Sequence, residues 1–230
     1  MKQSSRSLYY GEAEERENLN SFYINTFKWM FIGLMISGVT AFLTAMLGTL
    51  GYVSNPFMFV ICLVEVILVI VFSSRFDRVS SSVALTMYFL ITFINGITLS
   101  SIFYVYELGS MAICFILAAC MFGAMAIYGR TTKRDLAKWQ PMLLIALITC
   151  LIALIINLII GNTLFDMLIS VAVIVVMMLV TAFDIYTMKD EKIRAYDNAH
   201  IFFALSLFLD FLNIFLYLLR LFGINTSKNK

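Results

Sequence analysis

Residues 199–222 read AHIFFALSLFLDFLNIFLYLLRLF. The stretch is long enough to cross a bilayer, since about 20 apolar residues suffice. It also carries Asp210 near its middle. A carboxylate at bilayer depth costs about 2.5 to 3.5 kcal/mol on insertion scales, so it needs a partner, a proton or a functional reason. Ser206, Asp210, Asn213, Tyr217 and Arg220 follow one another at spacings of four, three, four and three. They therefore form one polar stripe along one helix face, and the other faces are Leu, Phe and Ile. Such a stripe either packs against other helices through hydrogen bonds or marks a functional site.

The rest of the chain is built to the same rule. Of its 230 residues, 62% are hydrophobic and 13% charged, and the mean hydropathy is +0.94. A soluble domain carries about twice that share of charge. The chain reads as an all-α integral membrane protein of one compact unit, because no long polar linker interrupts its apolar segments. Residues 1–28 form a polar tail, expected to be mobile, with an interfacial helix near Leu19 to Phe27. Seven apolar segments follow, at about 29–48, 56–73, 83–106, 110–128, 141–161, 164–186 and 200–223. Together they make a transmembrane domain over 29–224, and 225–230 is a short basic tail. Glu107-Leu108-Gly109 and Gly161-Asn162-Thr163 are links short enough to demand tight helical hairpins. Pro56 and Pro141 each stand in the first turn of a helix. The tail GEAEEREN is the reverse of a signal peptide, so none is expected.

Charge sets the orientation. Thirteen of the sixteen Lys and Arg lie in the N-terminal tail and in the connections after the second, fourth and sixth segments. The other connections hold none. Seven spans then put the N-terminus in the cytoplasm and the C-terminus outside, with the basic C-terminal tail as the one element against it. The loop YGRTTKRDLAKW reads as a topology determinant that touches anionic lipid. Gly33, Ser37 and Thr40 on the first helix, and Gly96 with Ser100 on the third, are small residues where helices approach closely.

Three acids sit inside apolar segments away from their tips: Glu65, Asp184 and Asp210. Counting from Pro56, Glu65 lies about 13 Å in, near the midplane; Asp210 lies about 15 Å in from His200. Asp184 is near the cytoplasmic end of the sixth helix, with Thr181 and Thr187 on its face. Arg75 ends the second helix at similar depth, so an Asp184–Arg75 contact is geometrically easy. A direct Asp184–Asp210 contact requires the seventh helix to begin higher above the membrane than these boundaries draw it. If the two carboxyls meet, they cannot both ionise cheaply, and they titrate as a unit. The bland alternative for Glu65 is a carboxyl hydrogen-bonded to a neighbour such as Asn95. Cys62, Cys114, Cys120 and Cys150 lack metal-site spacing and read as helix-packing residues. His200, the lone histidine, reads as interfacial packing rather than a ligand.

Several stretches carry a resemblance. FINGITLSSIF (93–103), AIYGRTTKRDL (126–136), VTAFDIYTMK (180–189) and ALSLFLDFLNIFLYLLRLFG (204–223) resemble the Bax-inhibitor, or transmembrane Bax inhibitor motif, family in its bacterial branch. The likeness runs from about residue 25 to 224. LDFLNIFLYLLR is its most specific piece, and SSR at 73–75 followed by Ser80 supports it. The resemblance implies a seven-transmembrane-helix bundle with the last helix central, in the bacterial cytoplasmic membrane. It implies a pH-sensitive calcium leak gated by a proton shared between Asp184 and Asp210 and latched to an arginine, Arg75 or alternatively Arg78. Glu65 and Asn213 would line the ion path. Calcium would be the permeant ion, met transiently by Asp184, Asp210 and Glu65 as hard oxygen ligands. No cofactor, no resident metal and no nucleic-acid partner are expected.

The protein is not expected to be an enzyme. An intramembrane aspartyl protease needs a GxGD motif at its second aspartate, and here the flank is LFLD. A retinal protein needs a lysine in the last helix, and none lies between His200 and Phe222. The alternative function is a regulator that binds a membrane protease or another membrane partner without ion flux of its own.

Overall fold

The computed structural model describes residues 2–47, 56–75 and 78–224. The basic tail 225–230, with Lys228 and Lys230, lies outside the described residues. The elements are α1 (Lys2–Met46), α2 (Pro56–Ser74), α3 (Ser81–Leu99), α4 (Ile102–Val105), α5 (Leu108–Thr131), α6 (Gln140–Ile160), α7 (Thr163–Thr187), α8 (Glu191–Arg194) and α9 (Ala199–Phe222). A 3₁₀ turn, Ala137–Trp139, leads into α6. Among the described residues every regular element is helical.

Among the described residues, six helical stretches are long and apolar enough to cross a membrane: Glu15–Met46, Ser81–Val105, Leu108–Thr131, Ala137–Ile160, Thr163–Thr187 and Ala199–Phe222. The count expected from hydropathy is seven. The remaining expected segment is α2, a 19-residue helix over Pro56–Ser74, of which Val60–Ser74 counts as an apolar run among the described residues. A second departure concerns the N-terminal tail, which continues α1 as one helix from Lys2 to Met46. Its Glu, Ala and Arg residues favour helix, and no proline precedes Pro56 to stop it. The third expected segment is broken after Leu99. Ser100 and Ser101 there turn their hydroxyls back onto the carbonyls of Ile97 (2.5 Å) and Thr98 (3.0 Å), a local bond that competes with helix continuation.

The hairpin between α6 and α7 has the turn its residues demand. Gly161 takes a left-handed φ of 67°, which glycine adopts without a Cβ penalty. Asn162 then caps α7 by accepting the Phe165 N–H at 3.0 Å.

Helix directions follow from the cross-contacts. Tyr88 donates to the Trp29 carbonyl (2.5 Å), Ser37 to Asn95 Oδ1 (3.0 Å) and Tyr104 to the Ala45 carbonyl, at sequence separations of 59, 58 and 59. A constant separation means that α1 and α3 run parallel. Ser206 meets Asp184 and Arg220 meets Asp166 at separations of 22 and 54. A growing separation means that α7 and α9 run antiparallel.

The basic connections gather at one end of the bundle. Arg130 bonds Asn20 Oδ1 (2.7 Å) and lies over the Tyr23 ring, whose hydroxyl donates to the Ile185 carbonyl at 3.0 Å. Lys189 Nζ reaches the Thr132 carbonyl (3.2 Å), and Asn198 the Val79 carbonyl (3.0 Å). Burial holds the Lys189 ammonium below its ordinary range. At the opposite end Glu107 N–H donates to the Ile224 carbonyl at 2.9 Å.

α9 is the most buried of the six spanning stretches: 67% of its apolar window is covered, against 44% for the next, α7. Its aromatic face interlocks with α5, with Phe211 edge-on to Phe115 at 5.1 Å and to Phe122 at 5.8 Å. Small residues let α1 and α3 approach as expected. A Cβ on Gly96 would lie 2.6 Å from the Ser37 carbonyl oxygen and 2.6 Å from Thr40 Cβ.

Gly96→Ala should therefore force α1 and α3 apart and cost about 1 to 3 kcal/mol. Gly38→Ala is the control, since its Cβ would meet nothing within 4 Å. Thermal unfolding in detergent should show a lowered Tm for the first and none for the second. Equal melting of both would refute the close-packing argument.

Candidate functional site

The site lies where α7 and α9 cross toward the basic end. The register pairs Asp184 with Ser206, so Asp210 stands one turn, about 6 Å, deeper. α9 starts seven residues before Ser206, whereas α7 runs only three beyond Asp184. α9 thus begins about 6 Å further out than α7 ends. That offset brings Asp184 level with Ser206 and leaves Asp210 one turn deeper on the same stripe. The α8 turn supplies it, since it carries the chain past the end of α7 before α9 starts.

Asp184 accepts a hydrogen bond from the Ser206 hydroxyl. Asp210 is 3% exposed, lies beside the Thr181 hydroxyl and feels the charge of Asp184. Its Oδ2 is buried with no hydrogen-bond partner. Thr181 spends its own proton on the Met177 carbonyl, 2.9 Å away. An ionised Asp210 has no donor at Oδ2.

The expected arginine contact is not formed. Arg75 is exposed at the end of α2, and its bond there is from its own backbone N–H to the Phe72 carbonyl at 3.4 Å. Ion pairs in the described residues include Lys138–Asp135 and Arg220–Asp166, and neither the half-buried Asp184 nor the buried Asp210 stands in one of these. The physical reason is reach and solvation: Ser206 on the adjoining helix already satisfies Asp184, while Arg75 keeps its charge outward. Arg78, the alternative, is likewise exposed and does engage a neighbour of its own.

Glu65 sits elsewhere, between α2 and α3. It accepts from Asn95 Nδ2 at 2.6 Å and Thr98 Oγ at 3.1 Å, and Asn95 in turn accepts from Ser37. The chain of bonds ties α1, α2 and α3 together at mid-depth. The Asn95 partner matches the structural alternative read from sequence. Asn213 bonds the Leu209 carbonyl of its own helix at 2.9 Å. It shares the α9 stripe with Asp210, whereas Glu65 does not join the aspartates.

One polar pair escaped the sequence reading. Arg220 grips Asp166 with two nitrogens, Nε lying 2.6 Å from Oδ2, and Asp166 also accepts from Asn157 Nδ2 at 2.9 Å. The signal was available: Asp166 is in the first turn of α7 and Arg220 in the last turn of α9, which antiparallel helices bring to one end.

This arrangement defines the class: a multi-pass, all-α membrane protein with two carboxyls, one turn apart in depth, where its most buried helix packs on α7. The chain is matched over residues 19–227 by the family model described as "Inhibitor of apoptosis-promoting Bax1", and it belongs to that family. It is 34% identical over 220 residues to the inner membrane protein YbhL of Escherichia coli K12, covering 91% of this chain and 94% of that one. It is 34% identical to a protein of Borreliella burgdorferi, covering 89% and 92% of the two chains. A membrane protein of Streptococcus pyogenes serotype M1 is 32% identical, covering 90% and 94%.

Ser206→Ala should destabilise the protein by about 1 kcal/mol, because it strips a half-buried acceptor of its donor. In a double-mutant cycle, adding Ser206→Ala to Asp184→Asn should cost less than Ser206→Ala alone. Strict additivity of the two changes in melting experiments would show that the hydroxyl and carboxyl do not interact.

Proposed function

We propose that the protein is a pH-sensitive leak channel for calcium, gated at the α7–α9 crossing. The observation that carries this reading is the pair of inward carboxyls, Asp184 and Asp210, one turn apart and without a cationic partner among the described residues. Two ionised carboxylates at that spacing in a dry site repel. A proton on Asp210 removes the repulsion, which keeps α9 seated on α7 and the basic end closed. Loss of the proton leaves two like charges, drives the basic end of α9 away, and opens a path lined by Asn213 and running past Glu65. Their oxygens suit a hard divalent cation. In this reading the closed gate uses Ser206 where the resemblance puts an arginine, and Arg75 or Arg78 serves the aspartates only when α9 has moved.

The same reading takes the bundle as seven crossings with the last helix central. Two observations support it. Parallel α1 and α3 need a return crossing between them, and α2 is the segment available. α9 is also the most covered helix. The clustering of basic connections at one end supports a cytoplasmic N-terminus.

Calcium entry into liposomes should rise with pH across about pH 6 to 8, because the open form is the deprotonated one. Asp210→Asn and Asp184→Asn should each flatten that rise. Wild-type pH profiles in both variants would sink the shared-proton gate. Absence of flux at every pH would instead leave a regulator that acts by binding a membrane partner.

Topology has its own test. Cysteines placed at Lys133 and Lys192 should react with an impermeant reagent only after the cells are permeabilised. Labelling of position 133 in intact cells would reverse the assignment.

A further inference from the structure

The end of α9 remote from the aspartates is tied down on two sides. On one, Arg220 forms its two-nitrogen contact with Asp166, which Asn157 holds from α6. On the other, the backbone just beyond α9 pairs with the start of α5. Glu107 N–H donates to the Ile224 carbonyl at 2.9 Å, and Ile224 N–H to Ser110 Oγ at 3.2 Å. The base that Asp166 stands on is itself stiff. Asn157 Oδ1 accepts the Asn162 N–H at 3.3 Å, and Asn162 caps α7. Each charge also sits at the helix pole that favours it, the carboxylate in the first turn of α7 and the guanidinium in the last turn of α9.

Nearer the basic end, the α9 stripe is bonded to a neighbouring helix through Ser206 and Asp184, with Asp210 beside Thr181. The geometry points to Asp166 and Arg220 as a positioning pair. They fix the far end of α9 on the α6–α7 hairpin, so that separation of Asp210 from Asp184 is a swing about Arg220 rather than a translation of the whole helix. The lever arm from Arg220 to Asp210 is ten residues, about 15 Å. The pair lines an open cavity of about 560 Å³ together with Asn157, Asn162 and Tyr217. Its side chains are 40% and 24% exposed, so it is wetted and sensitive to salt. The gating role of this pivot rests on the leak reading; its existence as a clamp does not.

The two are separated by measuring distance and flux on the same proteins. Spin labels go at Leu164 and Phe222, both exposed at this end, after the four native cysteines are replaced by alanine. Wild type should give one narrow distance distribution. Asp166→Asn and Arg220→Gln should broaden it, and so should wild type at about 1 M salt, where the screening length is about 3 Å. The charge swap Asp166→Arg with Arg220→Asp should restore the narrow peak only in part, because each swapped charge meets the wrong helix pole. It also shows that the single variants did not merely misfold. In liposomes both single variants should leak at the acid pH that closes wild type, and the swap should recover part of the closure. Narrow, wild-type distributions in both single variants would overturn the clamp. A clamp confirmed by distances in a protein that passes no calcium at any pH would keep the positioning pair and discard the leak.

Discussion

Two carboxyl groups must be kept inside a bundle that lipid surrounds, and the rest of the structure answers to that constraint. A carboxyl in hydrocarbon has to be protonated, bonded or shielded. Here α9 carries Asp210 down the best-covered position in the molecule, and α7 presents Ser206 with an acceptor and Asp210 with Thr181. The parallel approach of α1 and α3 follows a similar logic. It leaves room only for glycine at position 96 and brings Asn95 within reach of Glu65, the other intramembrane acid. The chain thus protects its intramembrane acids by different means: Asp184 takes the Ser206 hydroxyl, Asp210 is covered one turn deeper, and Glu65 is bonded into a network of neutral donors.

Much of this was legible in the sequence, and for a plain reason. Hydropathy reports a bilayer directly, so the apolar segments emerge near their observed bounds. A carboxyl in such a segment is anomalous enough to announce itself, as Asp184, Asp210 and Glu65 do. Proline and glycine punctuation gave the starts of α2 and α6 and the turn at Gly161. Small-residue spacing marked the α1–α3 seam, where Ser37 and Thr40 do lie against Gly96.

The rest needed three dimensions. How far α9 starts beyond the end of α7 depends on the α8 turn, and no periodicity encodes that offset. The Asp166–Arg220 pair was passed over because charges at helix tips are cheap and attract no notice. Arg75 shows what depth leaves open. Similar depth made a contact with Asp184 geometrically easy, but depth says nothing about azimuth, and the side chain faces outward. The continuous α1 was hidden because composition distinguishes polar from apolar far better than helix from coil.

α6 is covered over only 11% of its apolar window, and among the spanning helices it leans chiefly on α7. Lipid wets nearly every other side of it. Acyl chains conform to whatever shape they meet, so a Leu, Ile, Val or Met is equally acceptable to them. What natural selection reads in α6 is its oil–water partitioning rather than its contour. Exchanges among such residues in α6 should therefore cost little, while a change in the crowded helix α9 meets a neighbour at almost every position.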